Sequence, residues 1–215
     1  MYWNNIEKIH SSHAQERLFK QIELGKSKYD FSPFDIYQHI PDDKRHSFLE
    51  SQEDEDVNVK HDLAGALKMA KKQVLFFSGN MSWANVVQGD VEIIRVFEEL
   101  AKRNVSLKFL TKVDIESMDN VRKISAINEA VGKEVIEIRH CEQPLRAFIV
   151  DNHIAKFKEQ KNFYDRSKKR RKTYIFYEIY DPEWIEWLQK VFWNLFRTSI
   201  PADKRIKDLM TIRRA

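Results

Sequence analysis

Arg146 and Asp151, five residues apart in the run PLRAFIVDNHIAKF (residues 144–157), carry the most legible chemistry of the chain. A guanidinium grips phosphate or carboxylate through two parallel N–H donors, so Arg146 is a candidate anion site. The competing reading pairs Arg146 with Asp151, or with another acid at the edge of the core, and both readings stand. Ser78 and Asn80 follow the apolar run 74–77, which reads as a buried strand. Ligands of open α/β sheets gather at that carboxyl end, although the two polar residues also suit a plain turn. His140 completes the candidate ligand set of Arg146, Asp151, Ser78, Asn80 and His140. A second cluster is electrostatic: Arg166, Lys168, Lys169, Arg170, Arg171 and Lys172 put six cations in seven residues. Such a run can contact nucleic-acid phosphates without reading sequence, or it can be a solvated hairpin loop.

Other chemistry is missing its signatures. There is no Gly-x-Gly-x-x-Gly, no phosphate-binding Gly-x4-Gly-Lys-Ser loop and no Gly-x-Ser-x-Gly elbow. Seven histidines and one cysteine give no zinc spacing, and His10 and His13 on one helix face read as packing, so no metal and no cofactor is expected. The lone Cys141 excludes an intramolecular disulfide framework and fits a reducing compartment. No apolar run approaches the roughly 20 residues that span a bilayer. The polar N-terminus is no secretory signal, so a soluble, cytoplasmic protein is expected. A net charge of +4 does not by itself indicate nucleic acid, because that footprint is a clustered patch.

The elements that must position these residues follow from hydrophobic period and capping. Residues 3–25 read as a helix with Ile6, Ile9, His13, Leu18, Phe19 and Ile22 on one stripe, stopped by Gly25. Residues 26–60 are aromatic and then acidic, which suggests a surface linker and a boundary near residue 58. Three helix–strand units follow. A helix begins at His61 and leads to strand 74–77. A second, with Asp90 as its cap and Val91, Ile94, Val96, Phe97 and Leu100 inward, leads to strand 105–110. A third, over 118–131 and closed by Gly132, leads to strand 135–138. Strands 145–150 and 154–157 turn on Asp151-Asn152-His153. Strand 173–179 comes next, then a helix capped by Asp181 with Pro182 first, carrying Trp184, Trp187, Leu188, Val191, Phe192, Leu195 and Phe196 inward and stopped by Pro201. This order predicts an α/β fold whose mixed sheet has parallel early strands, an antiparallel later hairpin and flanking helices. Three regions are expected: a helical extension with its acidic linker (1–58), an α/β domain (59–200) and a basic tail (201–215).

The run 144–157, set between VLFFSGN and VSLKFLT upstream and a hairpin, strand and helix downstream, resembles the signature region of the phospholipase D superfamily. The resemblance covers roughly residues 60–200. In that family a His-x-Lys pair opens a strand and an Asp follows the Lys; here Pro144 and Arg146 stand at the pair's positions, and Asp151 at the Asp position. The resemblance implies a half-domain whose His attacks a phosphodiester and whose site is completed by a second half. Proline offers neither nucleophile nor transferable proton, and no His-x-Lys occurs elsewhere, so the expectation is a non-enzyme. The effector domains of archaeal sugar-responsive transcription regulators carry similarly degenerate versions. The implied function is therefore a ligand-sensing or regulatory module, homodimeric, holding a small anionic or polyol ligand. Two alternatives are a nuclease or phosphodiesterase reorganised around His140, Arg146, Asp151 and His153, and a DNA-associated protein using the basic run.

Overall fold

The computed structural model describes residues 2–51, 62–164 and 170–212, with the side chains of 2–11, 51, 162–164, 170–172 and 212 left out of account. Helix α1 (Tyr2–Leu24) is followed by a short helix α2 (Phe34–Tyr37) and strand β1 (Arg45–Ser51). Then come α3 (Leu63–Lys68), β2 (Gln73–Phe77), a small hairpin of β3 (Val87–Gln88) and β4 (Val91–Glu92), α4 (Ile93–Lys102), β5 (Ser106–Thr111), α5 (Met118–Val131) and β6 (Ile136–His140). The rest is β7 (Ala147–Val150), β8 (Ile154–Tyr164), β9 (Arg170–Ile179), α6 (Pro182–Thr198), β10 (Ile200–Pro201) and α7 (Ala202–Ile212).

One sheet of eight strands runs in the order β1-β9-β8-β7-β2-β5-β6-β10. The pairs β2–β5 and β5–β6 are parallel, as their helical crossovers require, and the other ladders are antiparallel. Side chains alternate between two buried faces, which is why the central strands read as unbroken apolar runs. Val74, Phe76, Leu107, Phe109, Phe148 and Val150 face α3, α4 and α5 in one core. Phe76 and Phe109 stack there at 4.3 Å between centroids. Leu75, Phe77, Leu110, Ala147, Ile149 and Phe157 face α6 in the other core. Asp181 caps α6 by accepting from the amides of Glu183 and Trp184, and Gly132 ends α5 in the left-handed conformation.

Several boundaries differ from the sequence reading. Helix α4 starts at Ile93, and Asp90 does not cap it: Gly89-Asp90 is instead the two-residue turn of the β3–β4 hairpin, with Gly89 at φ +55°. His13 is exposed; the inward stripe of α1 runs through Ala14, Leu18 and Ile22, four residues apart. The first 51 residues do not stand apart as an extension. Strand β1 pairs with β9 through seven residues, and Leu18, Ile22, Phe31, Ile36 and Ile40 enter the core against α6. The boundary near 58 falls outside the described residues. The expected tail is helix α7, whose Ala202, Ile206 and Leu209 close the far core. Helix α1 packs on α6 over the other core.

Candidate functional site

A cleft of about 290 Å³ opens at the carboxyl end of β2, where the chain passes through Ser78-Gly79-Asn80. Because β7 runs antiparallel to β2 with Ala147 opposite Phe77, the residue entering β7, Arg146, arrives at that same end. Its backbone is fixed by Lys158 N–H, which donates to the Arg146 carbonyl at 2.8 Å. Its guanidinium donates to the carbonyls of Leu145 (2.7 Å) and Gln143 (3.3 Å) and lies over Gly79. Among the described residues no carboxylate pairs with it. Burial alone pushes Arg146 below the ordinary guanidinium value, with no opposite charge to restore it. It remains a cation at neutral pH.

Gly79 is the condition for this arrangement. A Cβ there would stand 2.6 Å from Arg146 Nε and 2.7 Å from Nη2, closer than packed atoms tolerate. The obstructed atoms belong to the end of a long side chain that can swing away. Gly79→Ala is therefore expected to change stability by less than about 1 kcal/mol while weakening anion binding several-fold. Chemical denaturation and sulfate calorimetry on the same sample check both halves.

The neighbouring loop is internally satisfied. Ser78 Oγ accepts from Met81 N–H (3.2 Å) and from Trp83 Nε1 (3.1 Å). Buried Gln143 donates to the Ser78 carbonyl (2.9 Å) and accepts from Leu145 N–H (2.6 Å), which pins the 143–145 segment to β2. Asn80 is exposed, and its side-chain oxygen accepts from Ser82 N–H. Pro144 is buried, its ring packed so closely on Gly25 that a Cβ on the glycine would meet Pro144 Cγ at 2.8 Å.

Strand β8 supplies the rest of the charge. Lys156 and Lys158, two apart, project to the cleft side of the sheet, and Lys28 reaches it from the segment after α1. Lys156 is neutralised by Glu178 at 2.7 Å. Burial raises the Glu178 pKa, but hydrogen bonds from Lys156 and Tyr180 outweigh it and keep the carboxyl below its usual range. Lys28 donates to the neutral Gln160 Oε1 at 2.7 Å. Lys158 sets its ammonium 4.0 Å from the Tyr174 ring centroid, a cation–π contact. Burial lowers its pKa, Lys28 lowers it further, and Glu50 acts in the opposite direction. No Asp or Glu lines the cleft among the described residues.

Three of the candidate ligand residues thus meet: Arg146, Ser78 and Asn80. Asp151 does not join them. It lies at the opposite end of β7, at φ +46°, and its carboxylate accepts three backbone N–H groups, from Lys71 (2.8 Å), Lys72 (3.0 Å) and Gln73 (2.8 Å). It is a bracket for the start of β2, and the pairing with Arg146 is ruled out by the strand between them. His140 is likewise a loop anchor: its Nδ1 accepts from Val113 N–H at 2.9 Å, and it does not line the cleft. Burial, then Arg205, holds that imidazole below its ordinary pKa. His153 sits exposed in the β7–β8 turn beside Asp151. The set His140, Arg146, Asp151 and His153 is therefore dispersed rather than assembled. Lys156, on the second strand of that hairpin, lines the cleft.

Of the basic run, Arg166, Lys168 and Lys169 lie outside the described residues. Arg170, Arg171 and Lys172 are not in a loop: the β8–β9 ladder continues to them, opposite Tyr164, Phe163 and Asn162. No His, Cys, Asp or Glu cluster suited to a metal ion occurs among the described residues, and no described helix is long and apolar enough to cross a membrane.

No protein-family model matches the sequence, and no curated protein matches it. Solved structures do resemble it. Nuc from Salmonella typhimurium, a phospholipase D family member, superposes with a TM-score of 0.50 at 13% identity, covering 74% of this chain and 98% of its own. NucT from Helicobacter pylori gives a TM-score of 0.50 at 12% identity over 74% of this chain and 99% of its own. TrmBL2, described as an archaeal chromatin protein, gives 0.46 at 14% identity over 93% of this chain and 65% of its own. The chain shares its fold with Nuc and NucT. At these identities the likeness is one of architecture.

Proposed function

We propose that the chain is a non-catalytic binding module whose phospholipase-D-like cleft holds a small anion. The observation that carries this reading is the Arg146 guanidinium: it lines the cleft without a carboxylate partner among the described residues, on a wall without acidic side chains. An isolated buried cation is costly, and an anion that accepts its donors removes that cost. The charge of the wall favours an anion over a neutral polyol. Nucleophilic phosphodiester chemistry lacks support at the same place. Pro144 is packed on Gly25, no His lines the cleft among the described residues, and the Ser78 hydroxyl already accepts two hydrogen bonds with no base beside it.

Sulfate titrated into the protein by calorimetry tests the reading. Sulfate is expected to bind, and Arg146→Ala to weaken it about tenfold or more, the size of one charge-assisted hydrogen-bonding group. Unchanged sulfate affinity in Arg146→Ala would refute it. So would robust hydrolysis of bis(4-nitrophenyl) phosphate that Arg146→Ala abolishes.

A further inference from the structure

We infer that the ligand of this cleft is a phosphate monoester taken as its dianion, not a phosphodiester. This rests on the anion-binding reading above and adds the charge and substitution of the phosphate. The argument is a charge balance. Lys156 is cancelled by Glu178. Lys28, Arg146 and Lys158 remain, and the carboxylate that acts on Lys158 is Glu50. Among the described residues, three cations against one carboxylate leave two positive charges uncompensated. Glu50 compensates through space, since its carboxylate oxygens are buried and make no hydrogen bond among the described residues. Lys28 and Lys158 lie near enough to repel one another, and a second negative charge relieves that repulsion as well as the Arg146 excess. A diester carries one negative charge and would leave the cleft cationic. A monoester above its second ionisation, near pH 6, carries two.

The walls set the rest of the ligand. Trp83 and Tyr174 are half-buried rings on the cleft, and Leu63 of α3 and Val86 line it as well. A group esterified to the phosphate would meet these apolar surfaces, as small-molecule sites generally combine a few fixed polar groups with apolar lining.

Methyl phosphate and dimethyl phosphate form the discriminating pair, since they differ by one methyl group and one charge. Both are titrated into the full chain alongside sulfate at pH 7.5 and at pH 5. Methyl phosphate is expected to bind at least about tenfold more tightly than dimethyl phosphate at pH 7.5. It should weaken about tenfold at pH 5, where roughly one-tenth remains dianionic. Sulfate, a dianion at both values, should hold its affinity or gain. The protein groups facing the site cannot produce the expected loss. The charged and titratable groups there are Lys28, Lys156, Lys158, Arg146, Glu50, Glu178 and His46, 3.6 Å from Glu178, and acidification can only make such groups more positive. Lys158→Met should erode the preference for methyl phosphate over dimethyl phosphate by several-fold. Equal binding of the two esters, or methyl phosphate no weaker at pH 5, would overturn the dianion inference while sulfate binding kept the anion reading intact. Failure of sulfate itself to bind would overturn both.

Discussion

Asp151→Ala is expected to destabilise the folded chain by about 3–5 kcal/mol, the cost of removing a buried charged acceptor that three part-buried amides share. Three consecutive amides, those of Lys71, Lys72 and Gln73, turn toward its carboxylate as the chain leaves α3 and enters β2. No other side chain in the described structure accepts from them, and the β2 amide among them belongs to the strand that carries Phe76 and Phe77. Asp151→Asn keeps one acceptor oxygen and tolerates the left-handed backbone at φ +46°, so its cost should be about half. Urea denaturation measures both. A loss under about 1 kcal/mol for the alanine variant would show that the three hydrogen bonds are replaced by water. Sulfate affinity, in contrast, should survive in the molecules that remain folded, because the bracket lies at the far end of β7 from Arg146.

Phe192→Ala should cost about 3–5 kcal/mol, in the range of buried aromatic deletions whose cavity does not collapse. Phe192 is fully buried on α6. Its ring meets Phe77 edge-on at 5.3 Å and stacks on Phe196 at 5.3 Å, so it joins helix to sheet directly beneath the strand that ends in the cleft. Trp193→Ala, on the half-exposed flank of the same helix, is expected to cost less than half as much. Equal losses for the two would mean that the burial pattern of α6 is not what holds it down.

Much of this architecture is legible in residue order. Gly132, the Asp181-Pro182 cap and the Asp151-Asn152-His153 turn are local devices, and local devices specify their own geometry wherever the chain places them. The Asp90 position shows the limit. An Asp ahead of an apolar period suits a helix cap, but Gly89 before it also suits a two-residue hairpin, and pairing of Val87 with Glu92 decides for the hairpin. The cleft was half legible. Arg146, Ser78 and Asn80 follow from their places at strand ends. Lys158 carries a signal too, because alternation on β8 puts it on the same face as Lys156. Lys28 and Tyr174 carry none, since each depends on contacts made across long stretches of chain. Asp151 escapes a sequence reading for a related reason: the four residues of β7 separate it from Arg146 in space as well as in sequence, and its partners are backbone amides that no residue pattern displays.

The first 51 residues find their partners near the other end of the sequence: α1 packs on α6, and β1 pairs with β9. Contacts of such long sequence separation require closing a large loop before they return any stabilisation, and topologies built on them fold slowly. During synthesis α1 emerges well before α6, so its apolar stripe of Ala14, Leu18 and Ile22 must wait for that helix to leave the ribosome. The β9 edge likewise has no neighbour on that side in any intermediate where β1 is still undocked, a state open to strand exchange between copies. Docking of the N-terminal helix and strand should therefore be the last step of folding and the first to reverse, giving α1 and β1 lower amide-exchange protection than β2, β5 and β7.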